Sequence, residues 1–196
     1  MKSIYRLLLL LSLIIISSAT INAQIGLGVR IGDPTAVTIK KYTGNGAFEF
    51  NIGYSPSYYS YSYYNHYYDN YYGKKYPNYR YDGYGSGGNI DLQAHYLIQK
   101  DIHANIDGKF QWYFGGGLQF RSRTYYVNYH DNNGFYYSHQ RFRDIDFGLD
   151  GVIGAEYTFD EIPLTLFADT NIFIEVVDYP YAWWQLGIGA RYNFSK

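Results

Sequence analysis

The last stretch of the chain, AWWQLGIGARYNF from Ala182 to Phe194, alternates between two kinds of residue. Its even positions are apolar or aromatic: Trp184, Leu186, Ile188, Ala190, Tyr192 and Phe194. Its odd positions are mostly polar or small: Trp183, Gln185, Gly187, Gly189, Arg191 and Asn193. A period of two predicts a β-strand with one apolar and one polar face. The stretch can cross a bilayer when tilted, which takes about 9–11 residues.

The start of the chain has the pattern of a secretory signal peptide, from Met1 to Ala23. Lys2 and Arg6 form a basic start, Leu7 to Ile16 is an apolar run, and Ile21-Asn22-Ala23 is a plausible cleavage site. Such a segment is removed on export and takes no part in the fold. The apolar run is also shorter than the roughly 20 residues that a membrane helix needs.

The composition favours a β-structure. The chain has 27 Tyr, 12 Phe and 21 Gly, and aromatics make up 21% of it. Aromatics favour strands, and Gly marks turns and close approaches. With no Cys there is no disulfide framework, and a net charge of −1 gives no basic patch for nucleic acid. The sequence from residue 24 to residue 196 therefore predicts one exported, strand-rich domain with no nucleic-acid partner.

Seven further alternating runs precede the last one. We predict strands over Ile25–Ile31, Ala36–Tyr42, Ala47–Tyr54, Asn89–Gln99, Phe110–Arg121, Asp144–Phe159 and Leu164–Val176. Together with the last stretch they make eight strands. Thr43-Gly44-Asn45-Gly46 between the second and third is a hairpin signal.

The connections between these strands differ in length in a regular way. Both long ones, Ser55 to Gly88 and Ser122 to Arg143, fall on the same side of an up-and-down barrel. Outer-membrane barrels have short periplasmic turns and longer extracellular loops. We therefore expect these two loops to be extracellular and, with an even number of strands, both termini to be periplasmic.

The polar faces of the strands carry both signs of charge. A soluble, lipocalin-like barrel would place its apolar face inside, whereas a membrane barrel places it outside. Frequent Gly on the polar face favours the membrane case, because the interior of an eight-stranded barrel is only just wide enough for side chains. The predicted lumen charge network is Arg30, Lys40, Glu49, Asp91, Arg121, Asp146, Asp150, Glu156, Asp169, Glu175 and Arg191. We expect Arg191 to pair with Asp169 or Glu175, on the neighbouring seventh strand.

The chain resembles the small eight-stranded outer-membrane β-barrel proteins, the OmpX/OmpA-like and porin-family class. The terminal aromatic strand and the architecture from Gln24 to Lys196 carry the resemblance, although the Ser195-Lys196 tail departs from a final aromatic residue. The resemblance implies an all-β, eight-stranded antiparallel transmembrane up-and-down β-barrel in the cell outer membrane. It also implies contact with outer-membrane lipid and lipopolysaccharide.

The first long loop is dominated by tyrosine. Tyr, Ser, Asn and Gly are also the residues of antibody paratopes, where Tyr gives rigid contact area. The loop predicts a surface for a glycan or an envelope protein partner, with a decorative loop or a hairpin stem as alternatives. The second loop adds Arg141 and Arg143. The candidate contact residues are Tyr58, Tyr59, Tyr61, Tyr63, Tyr64, Tyr67, Tyr68, Tyr71, Tyr72, Tyr76, Tyr79, Tyr81 and Tyr84.

The sequence predicts no catalytic, metal or cofactor site. His66, His130 and His139 lie in the loops near acidic residues, but their spacing matches no metal template. His95 falls on the polar face and fits a hydrogen-bonded interior residue.

Lipid-A-modifying barrels are the enzyme alternative. A deacylase of this type needs a lipid-facing His and Ser, whereas Thr170 is the main polar residue on the predicted lipid faces. An acyltransferase would need a group such as His66, Asp69 and Ser62 near the outer interface. We predict instead a non-enzymatic barrel that serves in recognition or as a small subunit of an envelope complex. A small-solute channel, a lipid-A enzyme and a soluble carrier remain the alternatives.

Overall fold

A computed structural model describes residues 24–55, 80–103, 106–130, 135–177 and 182–194. These residues form eight strands, and among them no helix is both long and apolar enough to cross a bilayer. The strands are β1 (Ile25–Gly32), β2 (Thr35–Thr43), β3 (Gly46–Tyr54), β4 (Arg80–Asp101), β5 (Lys109–His130), β6 (Tyr136–Thr158), β7 (Leu164–Glu175) and β8 (Ala182–Asn193).

Each strand pairs antiparallel with its neighbours in the sequence, and β8 returns to pair with β1. At this closing seam Leu27 lies opposite Tyr192, and Gly28 lies opposite Arg191. The β2–β3 hairpin turns at Gly44, whose φ of 59° suits glycine. The prediction of a closed, eight-stranded, antiparallel up-and-down barrel is therefore confirmed.

The barrel has its polar residues inside and its apolar residues outside. Leu186 and Ile188 are 64% and 62% exposed, whereas Arg191 on the same strand has no exposed surface. The alternation of each strand produces this division, because successive side chains point to opposite faces. The core is thus a polar lumen surrounded by an apolar wall.

Three strands are much longer than the sequence predicts. β4 begins at Arg80, nine residues before the predicted Asn89, so the end of the expected Ser55–Gly88 loop is strand. The expected Ser122–Arg143 loop is also mostly strand, because β5 continues to His130 and β6 begins at Tyr136. Tyr-, Ser- and Gly-rich sequence hides these extensions, since beyond the apolar wall a strand needs no lipid-facing apolar residue at every second position.

Glycines on the inner face make room for neighbouring groups. A Cβ on Gly187 would lie 2.2 Å from the guanidinium carbon of Arg30, and one on Gly28 would lie 1.9 Å from the backbone oxygen of Ala190. The interior of the barrel is therefore filled at glycine positions by side chains and backbone of adjacent strands.

Candidate functional site

The inward positions of the strands hold every member of the predicted lumen network. Each of these charged side chains is buried, with exposures from 0% for Lys40 to 9% for Asp169. Buried charges need partners, because removing a charge from water is expensive. The lumen is therefore the place to look for organised chemistry, and its side chains fall into three layers along the barrel.

The layer nearest the chain ends is a basal charge cluster of Lys40, Glu49, Glu156 and Arg191. Arg191 Nη2 lies 2.6 Å from Glu49 Oε2, and its Nη1 lies 3.5 Å from Glu156 Oε2. Lys40 Nζ lies 2.8 Å from the same Glu156 oxygen and 4.0 Å from Glu49. The Arg191 guanidinium also lies 3.6 Å from the centre of the Phe167 ring. Two cations and two anions thus balance inside a closed wall.

Arg191 does not pair with the residues that the sequence suggests. Its register neighbours are Thr165 on β7 and Gly28 on β1, neither of which is acidic. Asp169 instead accepts from Arg30 at 2.7 Å, and Glu175 is buried beside Gly148 of β6. The expected pairing was wrong because Arg191 reaches across the lumen to β3 and β6. Pairing along adjacent strands depends on the strand stagger, which the sequence does not reveal.

The middle of the lumen holds a chain of uncharged amide side chains that was not predicted from the sequence. Asn51 donates to Gln93 at 3.0 Å, and Gln93 donates to Gln119 and Gln185 at 3.3 Å each. Asn171 donates to Gln185. These five side chains join β3, β4, β5, β7 and β8 across the interior. In the sequence these residues are recognisable only as single amides at inward positions of five separate strands.

The far layer is a rim cluster built around Asp91 and Arg121. Arg121 Nε donates to Asp91 Oδ2 at 2.7 Å, while Ser55 and Gln119 each donate to the same carboxylate at 2.8 Å. Arg121 also lies 4.8 Å from the Trp183 ring centre. Asp91 therefore has two donors from β5 and a third from Ser55, the residue that follows β3.

Arg123 extends this rim cluster by one row. It is 3% exposed and forms an ion pair with the predicted lumen residue Asp146. Arg123 falls within the predicted Ser122–Arg143 loop, so it was not among the predicted lumen residues. The one feature of the sequence that indicates an inward position for Arg123 is its spacing of two residues from Arg121, because every second residue of β5 faces the lumen.

His95 and Asp150 form a separate buried pair, with His95 Nε2 2.8 Å from Asp150 Oδ2. The histidine is thus a hydrogen-bonded interior residue. Within the part of the chain that the structure describes, no three His, Asp or Glu residues are grouped to hold a metal ion.

Most of the tyrosine candidates lie outside the described residues. Residues 58–79 of that set, with His66, Asp69 and Ser62, lie outside the described residues. Tyr81 and Tyr84 belong to β4 by backbone pairing, opposite Tyr129 and Val127, and their side chains are not described. His130 lies at the end of β5 and His139 near the start of β6, also with undescribed side chains.

Solved structures share the architecture. The N-terminal β-barrel domain of Pseudomonas aeruginosa OprF matches with a TM-score of 0.54 and 12% identity, over 88% of this chain and 96% of that one. Neisserial surface protein A (NspA) matches with a TM-score of 0.51 and 10% identity, over 89% of this chain and 98% of that one. No protein-family model and no curated protein matches the sequence. The chain has the fold of the small eight-stranded outer-membrane β-barrels.

Proposed function

We propose that this chain is a non-enzymatic outer-membrane protein whose filled barrel holds aromatic segments at the cell surface for recognition. The observation that carries the proposal is the inverted polarity of the barrel. Buried Arg, Lys, Asp and Glu face one another inside, and a continuous set of exposed Ile, Leu, Val and Phe covers the outside. That arrangement suits a barrel in lipid, where closed strands satisfy all of their backbone hydrogen bonds.

Aromatic pairs near the end that carries the chain termini support the membrane placement. Tyr157 and Phe159 have ring centres 4.8 Å apart, and Tyr192 and Phe194 have theirs 5.3 Å apart. Membrane barrels place rings of aromatic residues at the level of the headgroups. In our proposal this end faces the periplasm, and the long β4, β5 and β6 extend outward from the opposite surface.

The interior supports an anchor rather than a channel. The amide chain joins five strands across the middle of the lumen, and charge clusters occupy the layers on either side. A conducting pore needs a water-filled path, whereas eight strands leave room only for side chains. In our proposal no solute pathway runs through the barrel.

The recognition part of the proposal rests on the surface segments. β4, β5 and β6 have 22, 22 and 23 residues, against 8 to 12 for the other strands. They pair with one another well beyond the closed barrel, as far as Arg80 opposite His130. In the sequence, the Tyr-rich segment 56–79 comes immediately before Arg80, the first residue of β4. Clustered Tyr side chains commonly carry the hot spots of interfaces.

Replacement of residues 57–79 by a short Gly-Ser linker tests this proposal. The replacement keeps β4 intact from Arg80, so the barrel should assemble and keep its heat-modifiable gel migration. Binding of whole cells to glycan arrays, and of the purified barrel to envelope proteins, should fall sharply. The Tyr segment would then be the recognition surface.

Charge-removing variants serve as the control. Lys74→Gln with Lys75→Gln should weaken binding less than Tyr-to-Ser changes in the same segment, and high salt should have little effect, because aromatic contact supplies the affinity. Equal binding by intact and replaced barrels would refute the recognition role of the segment.

A further inference from the structure

The outer part of β6 has a paired strand on one side only. Its register with β5 is unbroken from Gln140 to Phe147. On the other side the pairing with β7 reaches Gly148, and one further backbone bond runs from Val176 N to Phe147 O at 3.0 Å. Among the described residues, no other strand pairs with this side of β6 ahead of Phe147. This part of β6 is therefore the edge of a sheet.

The edge presents a defined set of backbone groups. The Phe147 carbonyl points towards β7, and every second residue of an antiparallel strand directs its N–H and C=O to the same side. The N–H and C=O groups of Arg141, Arg143 and Ile145 therefore point away from β5. We call these backbone groups the β6 edge. The side chains of the same three residues are exposed on the outward face.

The opposite edge of the three-stranded extension, on β4, is irregular. Its register with β5 shifts between Tyr81 and Gly83 and again between Ser86 and Asn89. Irregularities of this kind blunt a sheet edge against further pairing, and glycine weakens a strand. The β6 edge has no register shift along its length. Of the two edges, the one on β6 is therefore suited to accept another strand.

We propose that the β6 edge binds an extended, acidic segment of another protein, which adds as a further strand beside β6. In strand addition of this kind, backbone hydrogen bonds supply affinity and alternate side chains supply specificity. The proposal rests on the proposed placement of this end of the barrel outside the cell. It assigns a recognition surface that is separate from residues 56–79.

Charge selects the partner. Arg141 and Arg143 occupy successive outward positions, which are about 7 Å apart along a strand. Among the side chains that the structure describes, no carboxylate forms an ion pair with either arginine. Opposite charges on facing strands stabilise a sheet and like charges destabilise it. A strand with Asp or Glu at alternate positions therefore fits this edge, whereas a second copy would bring the same outward arginines.

A titration with a synthetic peptide tests the proposal. The detergent-solubilised full barrel is titrated with a fluorescently labelled octapeptide in which Glu alternates with Val, and binding is read from fluorescence anisotropy. The same peptide with Lys in place of Glu should bind at least about tenfold more weakly, because each ion pair becomes a repulsion. Binding of the Glu peptide should also slow hydrogen exchange at the backbone amides of Arg141, Arg143 and Ile145.

Two variants at one position separate the backbone contribution from the charge. Arg143→Pro removes an N–H of the β6 edge together with the charge, whereas Arg143→Gln removes the charge alone. The proline variant should bind the Glu peptide at least about tenfold more weakly, and the glutamine variant about two- to fivefold more weakly. Both should keep the gel migration of the folded barrel, because the Arg143 N–H points away from β5.

A modified peptide makes the same comparison on the wild-type barrel, so the test does not depend on the folding of the proline variant. Methylation of the Glu backbone nitrogens blocks their hydrogen bonds to β6 and leaves the charges in place. The methylated peptide should bind at least about tenfold more weakly than the unmethylated one.

Three results would overturn the proposal. They are equal binding of the Glu and Lys peptides, equal binding of the methylated and unmethylated peptides, and dimerisation of the wild-type barrel that Arg143→Pro abolishes, which would make a second copy the occupant. Failure of the recognition proposal for the Tyr-rich segment is distinguishable. The barrel without residues 57–79 keeps the β6 edge, so it should bind the Glu peptide like the parent.

Discussion

The guanidinium of Arg191 lies among two carboxylates, an amine and an aromatic ring. Its Nε also donates to Thr38 at 3.2 Å, so strands β2, β3, β6, β7 and β8 all meet at this one side chain. Removing one partner of a buried ion pair is far more costly than removing an exposed one, because the remaining charge stays buried without compensation. We therefore expect the basal charge cluster to contribute strongly to the stability of the folded barrel.

Arg191→Leu should destabilise the folded barrel by about 3–5 kcal/mol, because Glu49 and Glu156 would share only Lys40. Urea unfolding in detergent micelles, followed by the gel migration of the folded form, measures the change. Adding Glu49→Gln to Arg191→Leu should recover part of the loss by restoring charge balance. Parent-like unfolding of the single variant would mean that the cluster does not stabilise the barrel.

Lys109→Gln is the exposed counterpart. Lys109 Nζ lies 3.4 Å from Asp101 Oδ1, and both side chains are more than half exposed. Exposed pairs are worth less than about 1 kcal/mol, so this variant should unfold at nearly the parent urea concentration.

At the level of elements, alternation predicts which side chains share a face but not where a strand ends. All eight strands were predicted, and inward residues such as Lys40 and Asp91 were assigned to the correct face. The extensions of β4, β5 and β6 were missed, because the apolar half of the pattern stops beyond the wall. Bulges between Tyr81 and Gly83 and between Val127 and Tyr129 break the period as well.

The second feature that the sequence did not predict is which side chains contact one another across the lumen. Strand neighbours follow from the order of the strands, but contacts across the barrel depend on stagger and on side-chain reach. Arg191 and Glu49, which are 142 positions apart in the chain, meet for that reason. The amide chain was likewise visible as separate inward residues and not as a connected set.

Gly28→Ala should weaken the closing seam between β1 and β8. The added methyl group would lie 1.9 Å from the Ala190 backbone oxygen, which cannot move away without shifting β8. Overpacking of this kind costs about 1–3 kcal/mol. Gly151→Ala is the matched control, because its methyl group would meet nothing within 4 Å on the outer wall. Equal unfolding midpoints for the two variants in urea would contradict this account of the seam.

At the scale of the whole molecule, the barrel combines a closed wall with a filled interior, which is the basis of the proposed role as a membrane anchor. The lumen layers cross the barrel from the basal charge cluster to the rim cluster, and each uses residues from several strands. We therefore expect barrel stability and surface function to be separable, because the contacts that join the strands lie within the lumen.

Planar-bilayer recordings test the filled lumen. The purified barrel should give no large, steady single-channel steps, because the amide chain and the charge clusters occupy the path. The Gly151→Ala variant provides a folded control, because its added methyl group would meet nothing within 4 Å. Steady conductance in wild-type protein would contradict the anchor and favour a small-solute channel.

Labelling of single cysteines tests the central claim most directly. The chain contains no Cys, so Phe135→Cys and Asn45→Cys each introduce one thiol, at opposite ends of the barrel. Phe135 lies exposed just before β6, and Asn45 lies exposed in the β2–β3 turn. A membrane-impermeant maleimide should label Phe135→Cys in intact cells and Asn45→Cys only after the outer membrane is permeabilised. Labelling of Asn45→Cys in intact cells, or recovery of both variants in the soluble periplasmic fraction, would contradict the account.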